Sequence, residues 1–237
     1  MKKILIIGYG SIARQHACNI RKVFRRCLIG VYKKKHYHKY KNIDKVFFNL
    51  KEAANWNAEV IIIASPANTH LEYLKYFCDS QKPHVTFLLE KPATATVNGK
   101  CNNFISRNKI IVGYDLRFTR FLSVIKKILN NDQSKLGNIL YFSARVGQAL
   151  PTWRHSKDFR KDVSARRDRA GGVLRELSHE LDYCIDLFGD IKNISSVISS
   201  GCWLNLDVED KAIIQGEFGI SGASISGTIE LDMLSEK

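Results

Sequence analysis

The run Ile4-Leu5-Ile6-Ile7-Gly8-Tyr9-Gly10-Ser11-Ile12-Ala13 decides the reading of the fold. Its four consecutive aliphatic residues suit a strand buried on both faces, two glycines punctuate that strand, and Ser11 to Val23 carries helical periodicity. Outward from this point, apolar runs alternate with amphipathic stretches. Strand Cys27–Tyr32, helix Leu50–Asn55, strand Val60–Ala64, helix Thr69–Ser80, strand His84–Leu89, helix Val97–Arg107 and strand Ile110–Gly113 follow in turn, and Thr69 and Glu72 have the spacing of a capping box. Such alternation predicts an α/β domain with a doubly wound parallel sheet over residues 1–118, because parallel strands need crossover helices that cover both faces.

After residue 118 the pattern changes to helix Phe121–Leu129, strand Ile139–Val146, a polar loop to Ala170, helix Val173–Leu187, and then strands alone. In the final strand Ala223, Ile225, Gly227, Ile229, Leu231 and Met233 alternate with Ser224, Ser226, Thr228, Glu230 and Asp232, as in a sheet packed on one face and wet on the other. Residues 119–237 are therefore expected to form an α+β domain with an open, mostly antiparallel sheet. The sequence stops just after that strand, so the sheet is expected to be incomplete and the protein shortened at its C-terminal end. An open sheet of this kind also predicts association with a second copy of the protein or completion by a partner.

Composition removes several classes. At 237 residues with 45% hydrophobic and 25% charged residues, the protein has the balance of a globular fold of one or two domains. No apolar run reaches the length of a membrane span and the N-terminal run is too short for a signal peptide, so no membrane role and a cytoplasmic location are expected. Six scattered cysteines without a C-x-x-C pair suggest neither a metal site nor a disulfide framework. The net charge of +14 raises nucleic acid as a partner, but the densest basic stretch, Arg21 to Lys45, holds no nucleic-acid motif and reads as a solvated face of the α/β unit. No nucleic-acid partner is expected.

Gly8-Tyr9-Gly10-Ser11-Ile12-Ala13 follows a buried strand and opens a helix, which is the context a dinucleotide fingerprint requires. Gly8 permits the tight turn, Gly10 lets backbone approach a pyrophosphate, and Ala13 allows close helix packing, with phosphate charge facing the helix N-terminus at Ser11 and Ile12. The acidic residue that usually accepts the ribose hydroxyls about 20 positions on is missing. That region reads Val31-Tyr32-Lys33-Lys34-Lys35, so Tyr32, Lys33 and Lys34 suit a 2′-phosphate and favour NADP(H), with NAD(H) as the alternative and a solvated turn as the plainer reading.

Three more segments stand where a doubly wound sheet puts ligands, at the carboxyl ends of its strands or in the loops beyond. They are Ser65-Pro66-Ala67-Asn68-Thr69-His70, the abrupt Glu90-Lys91-Pro92, and the glycine-opened Ala170-Gly171-Gly172-Val173-Leu174-Arg175-Glu176-Leu177-Ser178-His179-Glu180-Leu181-Asp182. In a continuous helix Glu176, His179 and Asp182 share roughly one face. Together with Gly113-Tyr114-Asp115-Leu116-Arg117-Phe118, these motifs make the sequence resemble the glucose-fructose oxidoreductase, inositol dehydrogenase and rhizopine-catabolism (Gfo/Idh/MocA) family along essentially its whole length. Leu150-Pro151-Thr152-Trp153 through Arg166-Arg167 is further similar to a branch associated with surface polysaccharides and sialic-acid-like sugars.

The resemblance implies a dinucleotide cofactor held by Gly8, Gly10, Ser11, Ile12, Ala13, Tyr32, Lys33, Lys34, Ser65, Pro66, Asn68, His70, Glu90 and Lys91. It implies a sugar or nucleotide-sugar substrate contacted by Lys91, Arg117, Trp153, Arg166 and His179, with Lys91 and His179 flanking the reacting carbinol. Elementary chemistry agrees, since an ammonium stabilises a developing alkoxide and imidazole titrates near neutral pH. Glu176 or Asp182 would hold the His179 ring, although the family arrangement usually puts an aspartate four residues before the histidine, where this sequence has Arg175. The alternative is a non-catalytic, cofactor-binding regulatory or partner-completed protein of the same fold.

Overall fold

The computed structural model describes residues 1–34, 40–80, 84–96, 108–131, 137–153, 158–201, 203–220 and 223–236. Lys35, the expected helix Val97–Arg107, Cys101 and Cys202 lie outside the described residues. The protein divides into two units, Met1–Gly113 and Tyr114–Lys237.

The first unit is built on a six-stranded sheet comprising β1 (Lys2–Ile7), β2 (Cys27–Tyr32), β3 (Lys45–Phe47), β4 (Val60–Ile63), β5 (Thr86–Leu89) and β6 (Lys109–Val112), in the order β3-β2-β1-β4-β5-β6. All neighbouring strands are parallel. Helices α1 (Ser11–Val23), α2 (Leu50–Asn55) and α3 (His70–Ser80) connect them. Period-two alternation divides each strand between two cores. Leu5, Ile7, Ile61 and Ile63 pack with Ala53, Leu74, Phe77 and Phe87 on one face, while Ile4, Ile6 and Ile62 pack with Ala13, Ala17 and Ile20 of α1 on the other. Strand order reverses between β1 and β4, the place where an open α/β sheet forms its ligand crevice.

Two local expectations differ from the observed structure. Strand β3 is not legible in the sequence because only three residues pair with β2. The Thr69 hydroxyl is not engaged in a capping box: it donates to Pro66 O at 2.7 Å and lies 2.8 Å from Ser65 Oγ, while Ala67–Thr69 forms a 3-10 turn and α3 starts at His70.

In the second unit a four-stranded sheet has the order β7-β10-β9-β8, from β7 (Tyr141–Gly147), β8 (Ile191–Ser199), β9 (Lys211–Ile220) and β10 (Ala223–Asp232). Strands β8, β9 and β10 run antiparallel in series, and β7 joins β10 in parallel, so the sheet is mixed but mostly antiparallel. Helices α4 (Arg120–Asn131), α5 (Leu150–Trp153), α6 (Val173–Glu176) and α7 (His179–Phe188) complete the unit. The alternation in β10 is realised up to Leu231, with Ile225, Ile229 and Leu231 buried against Leu177, Cys184 and Phe218, but Asp232, expected on the wet face, is buried and accepts from the Leu234 and Ser235 N–H groups. The expected single helix Val173–Leu187 is broken: Leu177, at φ −103° and ψ 33°, leaves the helical region, and a new helix begins at His179, with Ser178 at its N-cap position making no side-chain cap bond. No helix among the described residues is long and apolar enough to cross a membrane.

Candidate functional site

In the first unit the glycine turn is shaped by two different constraints. Gly8 has φ +99°, and a Cβ there would stand 2.7 Å from Ala64 O at the end of β4, so this glycine lets two strand ends approach. Gly10 has an extended backbone with φ −78°, and a Cβ on it would meet nothing within 4 Å. Space over Gly10 is therefore open to a ligand rather than filled by protein. Gly10 caps α1 without any side-chain bond, and the first turn holds no acidic residue, which leaves the N–H groups and positive helix end directed at that space. Ser11 and Ile12 are exposed beside it, whereas Ala13 is fully buried against the sheet. The donors and the open cradle fit a dinucleotide pyrophosphate.

Tyr9 is a site-forming residue that sequence reasoning missed. It is buried, its hydroxyl accepts from Lys41 N–H at 2.8 Å and donates to Lys41 O at 3.1 Å, and its ring packs on Tyr40. At the end of β2, Tyr32 is buried with its ring edge-on to Tyr73, and burial followed by the neighbouring Tyr73 raises its phenol above the ordinary range. Lys33 and Lys34 follow, with Lys34 Nζ 6.0 Å over the Tyr73 ring. The described residues that end β2, Val31 to Lys34, include no carboxylate.

Ser65 and Pro66 are half-buried after β4, with Asn68 exposed one turn on. His70 is almost wholly buried, with Nε2 2.8 Å from Ser65 O and Nδ1 3.1 Å from Pro92 O. It stands between the Ser65 loop and the Lys91 loop, and its neutral ring donates to one of the two carbonyls. Burial holds the imidazole below its ordinary value, outweighing the carbonyls that favour protonation. Glu90 at the end of β5 meets His16 of α1, with Nε2 2.5 Å from Oε1. That contact joins residues 74 positions apart and no local signal announces it.

In the second unit His179 is the first residue of α7 and is half-buried. Its Nε2 lies 3.7 Å from Asp115 Oδ1, and its ring stands edge-on to Tyr114 at 5.7 Å between centroids. Asp182 does not hold this ring. Its carboxylate instead receives two bonds of 2.6 Å from Arg117 Nε and Nη2, while Arg117 Nη1 reaches Asp186 at 3.3 Å. Glu176 belongs to the preceding helix α6, so Glu176, His179 and Asp182 are not carried on one continuous helix. The nearby carboxylate that the sequence reading missed is Asp115.

Arg117, expected at the substrate, is thus engaged with α7. Trp153 packs partly buried against the core of the second unit. Arg166 is bonded in parallel to Asp168, at 2.9 and 2.7 Å, and lines a cavity of about 320 Å³ with Arg160, Lys161, Asn205 and Asp207. No His, Cys, Asp and Glu cluster suited to a metal ion occurs among the described residues.

Comparison with known proteins bears on these two units. The profile described as oxidoreductase family, NAD-binding Rossmann fold, matches residues 2–104, and the profile for the C-terminal alpha/beta domain of the same family matches residues 127–234. Glucose-6-phosphate 3-dehydrogenase of Bacillus subtilis (strain 168) is 25% identical over 249 aligned residues, covering 100% of this chain and 68% of that protein. Among solved structures, the WlbA dehydrogenase from Bordetella pertussis, crystallised with NADH and UDP-GlcNAcA, superposes with a TM-score of 0.81 at 17% identity, over 99% of this chain and 70% of that one. For myo-inositol 2-dehydrogenase from Lactobacillus plantarum the TM-score is 0.79 at 17% identity, over 98% and 69% respectively. With both domain profiles matched in order, the protein belongs to the Gfo/Idh/MocA oxidoreductase family, whose N-terminal domain is an NAD-binding Rossmann fold.

Proposed function

We propose that this oxidoreductase transfers hydride between a nicotinamide cofactor, preferably NADP(H), and a carbinol or keto carbon of a sugar or nucleotide-sugar used in surface-glycan synthesis. The observation that carries the reading is the open cradle over Gly10 at the uncapped, acid-free head of α1. The cofactor, when bound, supplies or accepts the hydride. The protein's own groups do the rest: the α1 N–H groups hold the pyrophosphate, Lys33 and Lys34 meet a 2′-phosphate, and Ser65, Pro66 and Asn68 border the nicotinamide side. Lys91 supplies an ammonium to the substrate oxygen, and His179, whose Nε2 lies 3.7 Å from Asp115 Oδ1, moves its proton.

A nucleotide-sugar is favoured by the cavity that Arg160, Lys161 and Arg166 line, since guanidinium groups suit a diphosphate. The WlbA complex with UDP-GlcNAcA is a relative of that chemistry. Exposed Ile194, Val197 and Ile198 on β8 support association of two copies through the open sheet. The transcriptional regulator Gal80p from Kluyveromyces lactis, with a TM-score of 0.74 at 14% identity, keeps a non-catalytic reading in view because it has the same fold. Cofactor oxidation or reduction against a panel of sugars and nucleotide-sugars separates the two. Turnover supports the enzyme; tight cofactor binding with no turnover on any of them supports the regulator.

A further inference from the structure

We propose that His16 is a positioning residue for Lys91, fixing the strand end that carries the lysine to the helix that begins at the phosphate turn. The proposal deepens the oxidoreductase reading and rests on it for the purpose of the lysine. Its physical content concerns the first unit alone.

The peptide around Lys91 is flanked by a histidine on each side. On the preceding residue, Glu90 Oε1 lies 2.5 Å from His16 Nε2, with the two side chains 14% and 22% exposed. A carboxylate can only accept, so the imidazole donates, and a short bond of this charge-assisted type is among the stronger side-chain contacts. On the following residue, Pro92 O faces His70 Nδ1 at 3.1 Å. Space for the Glu90 carboxylate is left by Gly113, where a Cβ would stand 3.3 Å from Oε1 and from Leu89 O. Two histidines from two different helices thus bracket one lysine.

The connection matters because His16 lies on α1, on the turn after Ala13, and α1 presents its N-terminus to the open cradle over Gly10. The bond therefore sets the distance between the phosphate-binding end of the site and the ammonium. Geometry of this kind controls rate strongly, since misplacing a reacting group by about 1 Å costs roughly 100-fold. His16 need not touch cofactor or substrate to do this.

The test is limited acetylation of the 237-residue protein by acetic anhydride, read by mass spectrometry as the ratio of modified Lys91 to modified Lys51, an exposed lysine on α2. Loss of the anchor in His16→Ala is expected to raise that ratio about fivefold or more through local opening of the loop, while His16→Gln, whose amide can still donate to Glu90, stays within about twofold of the unchanged protein. Glu90→Ala removes the same bond from the other side and is expected to reproduce the His16→Ala ratio. An unchanged ratio in either alanine variant overturns the proposal, as does a rise in His16→Gln equal to that in His16→Ala. Acetylation needs no turnover, so its outcome is independent of whether a substrate is found. Where turnover is measured, kcat is expected to fall about tenfold in His16→Ala with cofactor KM nearly unchanged, and to recover in His16→Gln.

Discussion

Arg117 donates two parallel hydrogen bonds of 2.6 Å to the carboxylate of Asp182, three residues along α7 from His179. Asp182 is largely buried, and its bonding raises the Arg117 guanidinium above its ordinary range. The same arginine reaches Asp186, which also pairs with Lys126 of α4 at 2.5 Å. Segment 114–118 therefore grips α7 at two points, with Tyr114 and Asp115 against His179 and Arg117 against Asp182 and Asp186.

From this grip it follows that Arg117→Lys is not conservative. A lysine cannot reproduce the bidentate geometry, and Asp182 is left partly desolvated, so unfolding free energy is expected to fall by about 1–3 kcal/mol. Denaturant midpoints of Arg117→Lys and Asp182→Asn, with the double variant, check this. If the two single effects simply add, the pair is not coupled.

The two turn glycines should separate folding from binding. Gly8→Ala places a Cβ against Ala64 O in a left-handed backbone and is expected to destabilise the unit by about 1–3 kcal/mol. At Gly10 a Cβ meets only open space, so in Gly10→Val the thermal midpoint should move far less than in Gly8→Ala while cofactor binding is lost. Calorimetric titration of Gly10→Val with NADP(H) checks the second half; normal binding would show the cradle to be elsewhere.

At the end of β2, the missing carboxylate and the presence of Lys33 and Lys34 predict tighter binding of NADP(H) than of NAD(H). If each lysine makes a charge-assisted bond of about 1.5–3 kcal/mol to the 2′-phosphate, replacing both by alanine should lower NADP(H) affinity by at least about 100-fold while NAD(H) affinity stays near its starting value. Equal loss for both cofactors would mean that the lysines do not read the 2′-phosphate.

Much of this is legible in the sequence for a local reason. α1, β2 and α2 occur at the residues expected of them because their signals, an apolar run, a glycine turn and helical periodicity, lie within each segment. β3 escapes notice because three residues are stabilised by their neighbour rather than by their own pattern. The break at Leu177 is hidden since the sequence 173–187 keeps helical periodicity through it. Glu90 and Asp182 are visible as charged residues in suggestive places, but their partners, His16 and Arg117, lie 74 and 65 residues away, and pairing across such distances leaves no mark in a single sequence.

Burial of His70 gives a pH dependence with a definite sign. Its imidazole is held below the ordinary value of 6.5, so the unfolded state binds this proton more readily than the folded one. The contribution is fully present above that value and is lost as pH falls through it toward the lower folded value. His70→Asn should lower the midpoint at about pH 7.5 yet flatten the decline below about pH 6.5, and an unchanged acid limb in thermal melts would refute the assignment.

Single-turnover transfer between NADP(H) and a reactive sugar or nucleotide-sugar, followed in the unchanged protein and in Lys91→Met and His179→Ala, tests the central claim most directly. Each variant is expected to keep near-normal cofactor affinity and to lose roughly 100-fold or more in rate, with the double variant little slower than the poorer single one, since the proposed function has both groups act on one substrate oxygen. Retention of most of the rate in either single variant would contradict the account.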